Sequence, residues 1–235
     1  MQDTARPLAP SLGGDRIQAL DALRGMAVLG ILIMNIQSFT MPDAAYMNPT
    51  AYGDLTGANV WVWIVSHLLA DQKFMSIFSM LFGAGILLIT QKASVTGKSG
   101  LGLHYSRVNW LLVLGLAHAY LLWHGDILVN YAVCALFIVF FRNRKPLTLM
   151  IVGLFFVLVP SLLYYYFAYS LPYWPEEMTE QMSAMWAPSA DLIQQELDIF
   201  RSGWVEQLPR RIGTSVVMQT MVYCIWLGWR ACGMM

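Results

Sequence analysis

Charged residues are scarce in this 235-residue chain: Lys, Arg, Asp and Glu make up 12% of it, against about 25% in soluble domains. Basic and acidic residues balance to a formal net charge of zero. This balance and the dispersal of the basic residues argue against a nucleic-acid partner. Apolar residues instead make up 57% of the chain. Such a composition is typical of an integral membrane protein, whose first partner is the lipid bilayer.

Cysteine and histidine are also few, with three and four residues respectively. The cysteines form no CxxC pair, so the sequence predicts no disulfide framework. The histidines show no HxxxH or HExxH spacing, so it predicts no metal site either. Residues 1–16 are polar, contain two prolines and lack the apolar core of a signal peptide. We therefore expect a short flexible cytoplasmic arm there.

Long apolar runs predict the membrane-spanning helices, at about 20 residues for each crossing. Five spans are expected at roughly 22–41, 73–91, 106–124, 126–142 and 147–170, and a sixth at about 211–229. Segment 58–70 is too short to cross alone, and it either extends the second span or lies at the interface. The predicted fold is an all-α polytopic bundle of about six transmembrane helices.

The predicted organisation has four parts. They are the arm at 1–16, a five-span bundle at 17–170, an outer loop at 171–210, and a sixth span with an abrupt C-terminus at 211–235. In the outer loop, apolar residues at 193, 197, 200 and 204 predict an amphipathic helix at about 190–205.

Basic residues predict the orientation of the bundle. Eight of them cluster on one side of the predicted spans: Arg6, Arg16, Lys92, Lys98, Arg107, Arg142, Arg144 and Lys145. The positive-inside rule makes that side cytoplasmic, together with the N-terminus. Arg210 and Arg211 disagree, because they fall on the outer side.

The first span opens with a charged pair, Asp21 and Arg24, and contains one amide, Asn35, near its far end. Arg24 and Asn35 are eleven residues apart, which is about three helical turns, so both lie on one face roughly 17 Å apart. Ionisable groups at membrane depth usually face a bundle interior or a wet cavity. We therefore expect Asp21, Arg24 and Asn35 to bind a substrate or donor.

The second span opens with Lys73, which either snorkels to the headgroups or faces inward as a cation for an anionic ligand. Ser76, Ser79 and Gly83 recur along it at helical spacing. Small residues in such a row predict a face on which another helix packs closely.

The hairpin of the third and fourth spans contains further polar residues. Arg107 and His118 repeat the eleven-residue spacing of the first span. His118 either bonds a neighbouring carbonyl or performs general acid and base chemistry. Asp126 follows a glycine and precedes an apolar run, which predicts a helix N-cap. A functional role for Asp126 stays open, because His124 and Asn130 are close to it in sequence.

Three ordered motifs resemble those of the YeiB-like membrane proteins. They are Leu-Asp-x-x-Arg-Gly at 20–25 with Asn35, Lys-Phe at 73–74 followed by Phe-Ser-x-Leu-Phe-Gly-x-Gly at 78–85, and Gly-Asp-Ile-Leu at 125–128 with Tyr131. The first helix is similar to that of transmembrane acyltransferases of the heparan-α-glucosaminide N-acetyltransferase type. The resemblance implies transfer of an acyl group from cytoplasmic acyl-CoA to an extracytoplasmic acceptor, either a glycan or a small molecule.

The same resemblance implies roles for individual residues. Arg24 or Arg107 would hold the donor phosphates, His118 or His124 would act as general base, and Asn35 would donate to the developing oxyanion. The heparan-type enzymes place their catalytic histidine in the segment that corresponds to 36–58, which has none here. Members of the family usually continue through several more spans, so we expect a truncated or frame-altered chain.

Two other functions fit the same sequence. A transporter or export component would use the buried charges to pass a small anionic solute, although the two halves of the chain show no repeat of the kind common in transporters. A non-catalytic membrane protein is the third interpretation. All three place the chain in a bacterial plasma membrane or its equivalent, crossing it several times.

Overall fold

The computed structural model describes residues 18–95 and 99–232, and side chains for 18–93 and 99–220. The predicted arm at 1–16 lies outside these ranges. The regular structure within them is entirely helical, which confirms the all-α prediction. The α-helices are α1 Gln18–Thr40, α2 Asp43–Met47, α3 Ala58–Leu69, α4 Lys73–Val95, α5 Gly100–Ala117, α6 Leu128–Ile138, α7 Pro146–Ser170, α8 Glu176–Trp186, α9 Ala190–Arg201 and α10 Leu208–Cys232. Three short turns extend them: the π-helix His118–Leu122, here called the π-turn, and the 3₁₀ turns Val139–Phe141 and Leu171–Tyr173.

Within the described residues, three helical stretches are long and apolar enough to cross a membrane: Gln18–Thr40, Ala58–Ala93 and Pro146–Tyr173. The second stretch contains the 58–70 segment as α3, and a turn at 70–72 separates it from α4. Gln72 in that turn has a φ of 60°, in the left-handed region. These stretches are consistent with a membrane protein. Six crossings and a cytoplasmic N-terminus stay predictions.

The described residues divide into two compact units. The first unit contains 18–31, 72–139 without 96–98, and 199–232. The second contains Leu32–Asp71 and Phe140–Asp198.

The core of the first unit lies among α4, α5 and α6. Its buried side chains are Ile86, Val108, Ala132, Ala135 and Val139. At Gly115 the backbones of α5 and α6 come so close that a Cβ there would lie 2.7 Å from the Val129 nitrogen. The buried His104 ring joins the same two helices, because its Nε2 lies 3.0 Å from the carbonyl oxygen of Ala135.

The close-packing face predicted in α4 is wrong at Gly83. A Cβ on Gly83 would meet nothing within 4 Å, whereas one on Gly85 would lie 2.9 Å from the Arg24 guanidinium. Ser76 donates to the carbonyl of Gln72, in the turn just before α4, and Ser79 contacts the Tyr131 hydroxyl at 2.7 Å. Polar contacts therefore help to determine which face of α4 packs against another helix. The spacing of small residues alone does not reveal these contacts.

The second unit contains α2, α3, α7, α8 and most of α9. The Asp43 N–H donates to Glu196 Oε1 over 3.0 Å, and the Asn48 amide donates to the Trp186 carbonyl over 2.9 Å. Helix α9, Ala190–Arg201, lies within the segment of about 190–205 in which the sequence predicts an amphipathic helix. Helix α8 was not predicted. Helix α7 has no buried residue along its 25 residues, as a lipid-facing helix would show.

Candidate functional site

His118 and Asp126 form a hydrogen-bonded pair in the first unit. His118 Nδ1 lies 2.8 Å from Asp126 Oδ1, and the aspartate side chain is only 2% exposed. A carboxylate accepts but does not donate, so the proton of this bond belongs to Nδ1. In the neutral ring, Nε2 then carries the lone pair. The His118 side chain is 36% exposed, so the pair has the arrangement of an oriented general base.

Local structure places both members of the pair. His118 is the first residue of the π-turn, in which the Trp123 N–H donates to the His118 carbonyl over 2.9 Å. Such π-turns are frequent at functional sites. A turn at residues 124–125 follows, and a Cβ on Gly125 would meet the Trp123 ring.

Asp126 also caps helix α6, as the sequence predicted. Its Oδ2 accepts the Val129 backbone N–H over 2.9 Å, while its Oδ1 contacts His118. Capping and orientation of the histidine are therefore performed by the two oxygens of one carboxylate. Asp126 can therefore cap the helix and hold the histidine at the same time.

His124, the other candidate base, lies in a different environment. It is buried, and its ring centroid lies 6.1 Å from that of Trp123 and 6.5 Å from that of Phe200. The contrast with the partly exposed His118 favours His118 as the base.

Helix α10 and the segment before it donate three hydrogen bonds to the π-turn. Ser215 Oγ donates to the Ala119 carbonyl over 3.0 Å, and Trp204 Nε1 to the Leu121 carbonyl over 2.6 Å. The buried Arg211 donates to the Leu122 carbonyl over 3.4 Å and to the Trp204 carbonyl over 2.8 Å. Its guanidinium also lies 5.0 Å from the centre of the Trp204 ring. The sequence analysis did not predict Ser215, Trp204 or Arg211 as site residues. The one sign of a special role was that the charge of Arg211 disagreed with the predicted orientation.

The charged pair of the first motif joins α1 to α4. Arg24 lies 3.5 Å from Asp21 Oδ1 and donates to the Leu81 carbonyl over 3.2 Å. Leu81 is part of the second motif, and the Ser79–Tyr131 contact joins the second motif to the third. The three motifs are thus connected through α4.

Three further predicted site residues lie on α4, α5 and α1. Lys73 is exposed at the first residue of α4, and Arg107 is exposed on α5. Asn35 is half-buried and belongs to the second unit. Their roles in binding a donor or an oxyanion stay predictions.

Comparison with known proteins gives relatives without an assigned function. The chain is 32% identical over 233 residues to Uncharacterized protein YeiB of Escherichia coli (strain K12), covering 94% of this chain and 54% of that protein. It is 35% identical over 153 residues to Uncharacterized protein YxaH of Bacillus subtilis (strain 168), covering 61% of this chain and 37% of that one. No protein-family model and no solved structure matches.

The chain spans about half the length of YeiB and about a third of YxaH. These relatives support the YeiB-like grouping that the three motifs indicated. Their names assign no reaction.

Proposed function

We propose that this protein is a membrane acyltransferase, which transfers an acyl group from acyl-CoA to a hydroxyl or amine of an acceptor. The observation that carries the proposal is the pair formed by the partly exposed His118 and the buried Asp126, 2.8 Å apart. A histidine held in this way supplies the general base that acyl transfer requires. The resemblance of the first helix to transmembrane acyltransferases gives the reaction class.

The proposed reaction uses His118 twice. Nε2 takes the proton of the acceptor hydroxyl or amine while its oxygen or nitrogen attacks the thioester carbonyl of acyl-CoA. The tetrahedral intermediate then collapses, the C–S bond breaks, and the imidazolium returns the proton to the departing thiolate. The products are the acylated acceptor and CoA. Asp126 stabilises the imidazolium and holds the ring in one tautomer.

One further predicted residue has a supporting role in the proposal. Arg107 carries an exposed cation suited to the phosphates of the donor. The acceptor would be a glycan or a small molecule on the side of the membrane opposite the donor.

The test uses the purified full chain in liposomes with [¹⁴C]acetyl-CoA as donor and glucosamine as probe acceptor. Labelled product is separated by chromatography, and longer acyl-CoA donors follow in parallel. We expect transfer by the wild-type protein and a loss of about 10² to 10⁴-fold in His118→Gln, the range of general base catalysis. His67→Gln is the matched control, because His67 Nδ1 bonds the Trp63 carbonyl in the second unit.

Two results would remove the proposal. One is the absence of both acyl-CoA binding and transfer in the wild-type protein across the donor panel. The other is equal transfer by the wild type and His118→Gln. Solute counterflow in the same liposomes without an acyl donor would instead support transport.

A further inference from the structure

The π-turn ends at Leu122, and a helix end leaves its last four carbonyl groups without partners inside the helix. Three of these carbonyls, those of Ala119, Leu121 and Leu122, accept side-chain hydrogen bonds from elsewhere in the first unit. The donors are Ser215, Trp204 and Arg211. The end of the helix that contains His118 is therefore held from outside.

The donors follow a simple order along the chain. Arg211 and Ser215 are one turn apart on α10, so they lie on one face of that helix. Both are buried, with Ser215 only 1% exposed. Arg211 also restrains Trp204, because its guanidinium donates to the Trp204 carbonyl and covers the indole ring. The three side chains form one connected group, here called the π-turn clamp.

We propose that the π-turn clamp positions His118 for its reaction. His118 is the first residue of the turn whose last carbonyls the clamp holds, so the clamp fixes the backbone from which the imidazole extends toward Asp126. Ser215, Trp204 and Arg211 act through His118 and are positioning residues. The effect on rate rests on the proposed function, whereas the effect on the His118–Asp126 hydrogen bond does not.

Loss of one clamp bond has a specific consequence. The π-turn gains freedom, the Nδ1–H no longer faces Asp126 Oδ1 at all times, and the ring also populates the tautomer protonated at Nε2. That tautomer cannot accept a proton from the acceptor. A misplacement of about 1 Å in a catalytic group lowers a rate by about 10²-fold. We expect the clamp variants to lose kcat by about tenfold to 10²-fold with little change in KM for the donor.

The experiment uses the full chain labelled with ¹⁵N-histidine in detergent micelles, at a pH high enough to keep the imidazoles neutral. The ring nitrogen resonances of His118 are assigned by their absence in His118→Gln, and their shifts report which nitrogen carries the proton. We expect the Nδ1–H tautomer in the wild type. Ser215→Ala and Trp204→Phe, which each remove one donor, should show a substantial fraction of the Nε2–H tautomer.

Two matched controls separate positioning from general damage. Thr220→Ala removes an exposed hydroxyl on the same helix, one that donates to the Val216 carbonyl one turn earlier. Trp110→Phe trims an exposed indole on α5. Both should keep the wild-type tautomer and kcat. Ser215→Thr keeps a hydroxyl donor at position 215, so it should also keep the Nδ1–H tautomer.

The outcomes distinguish the two proposals. If the wild-type protein transfers no acyl group but the clamp variants alter the His118 tautomer, the proposed function fails and the clamp stands. If Ser215→Ala and Trp204→Phe both keep the Nδ1–H tautomer and a kcat within twofold of the wild type, the clamp is wrong. Trp204 is half exposed, so Trp204→Phe keeps the test decisive even where Ser215→Ala does not fold.

Discussion

At the scale of single residues, Arg211 shows why charge counting gave a conflict. The positive-inside rule treats each arginine as a free cation near the membrane surface. Arg211 is instead buried, and it bonds two backbone carbonyls and covers an indole ring. The charge of Arg211 serves these local contacts. Its position in the sequence is therefore a poor indicator of which side of the membrane is cytoplasmic.

His118 and Asp126 were both predicted as site residues, but their pairing was not. They are eight residues apart, and no regular helix brings such positions together. The pairing depends on the π-turn and on the tight turn at Gly125, and neither has a recognisable sequence pattern. Sequence chemistry therefore identifies the residue types, whereas the irregular backbone between them decides the contact.

Asp126→Asn separates the two duties of the aspartate. The amide oxygen can still accept the Val129 N–H, so α6 keeps its cap. The amide N–H₂ would face His118 Nδ1 and favour the tautomer with the proton on Nε2. We expect a loss in kcat of about 10³-fold or more, with folding retained. Acetyl transfer and thermal unfolding measure the two effects, and a kcat within tenfold of the wild type would contradict the role of Asp126.

We expect Asp54 to make a pH-dependent contribution to the stability of the second unit. The side-chain hydroxyl and backbone N–H of Thr56, with the Asn59 amide, donate to its carboxylate and lower its pKa below the ordinary value of about 3.9. A lowered pKa stabilises the fold above the unfolded-state pKa, and the contribution disappears as the pH falls through the folded-state value. Asp54→Ala should therefore unfold at a lower temperature than the wild type at pH 6, and the difference should vanish in strong acid. A difference that is independent of pH would exclude this carboxylate as the cause.

At the scale of helices, the apolar runs located the long elements well because each crossing needs a continuous apolar segment. Helix α5 begins earlier than the predicted span, at Gly100, because the Ser99 hydroxyl accepts the Gly102 N–H and caps it. Helix α8 was missed because its composition is mixed and no apolar stripe was recognised. Its signals were Pro175 and the acidic first turn that follows.

Gly115 gives a test of the contact between α5 and α6. A Cβ there would lie 2.7 Å from the Val129 nitrogen, a backbone atom that moves only with its helix. Gly115→Ala should destabilise the protein by about 1–3 kcal/mol, as overpacking does. Gly83→Ala is the control, because open space surrounds that position, and alanine in a helix should be neutral or stabilising by about 0.5–1 kcal/mol. Unfolding in mixed detergent micelles measures both, and equal stabilities would contradict the close approach.

At the scale of the whole molecule, composition and hydropathy identified the class, and the three long apolar stretches are consistent with it. The number of crossings is harder to predict. Helix α6 with its 3₁₀ turn is short, at Leu128–Phe141, and α3 and α4 are separated by a turn within one apolar stretch. Length and apolarity do not determine how such pieces share the depth of a bilayer.

Cysteine labelling tests the predicted orientation in intact cells. Starting from a protein with its three cysteines replaced by serine, Asp54→Cys and Lys145→Cys each introduce one thiol in a loop. The positive-inside rule places position 54 outside and position 145 in the cytoplasm. A membrane-impermeant maleimide should label the former in intact cells and the latter only after permeabilisation. The reverse pattern would invert the topology, and labelling of both in intact cells would change the number of crossings.

The contact between Arg24 and Gly85 has a consequence for how this sequence can evolve. The guanidinium fills the space that a side chain at position 85 would need. A larger residue at 85 would displace the Arg24 guanidinium and disturb its hydrogen bond to the Leu81 carbonyl, so a lineage that keeps this bond should keep the glycine. The two positions are expected to covary although 61 residues separate them.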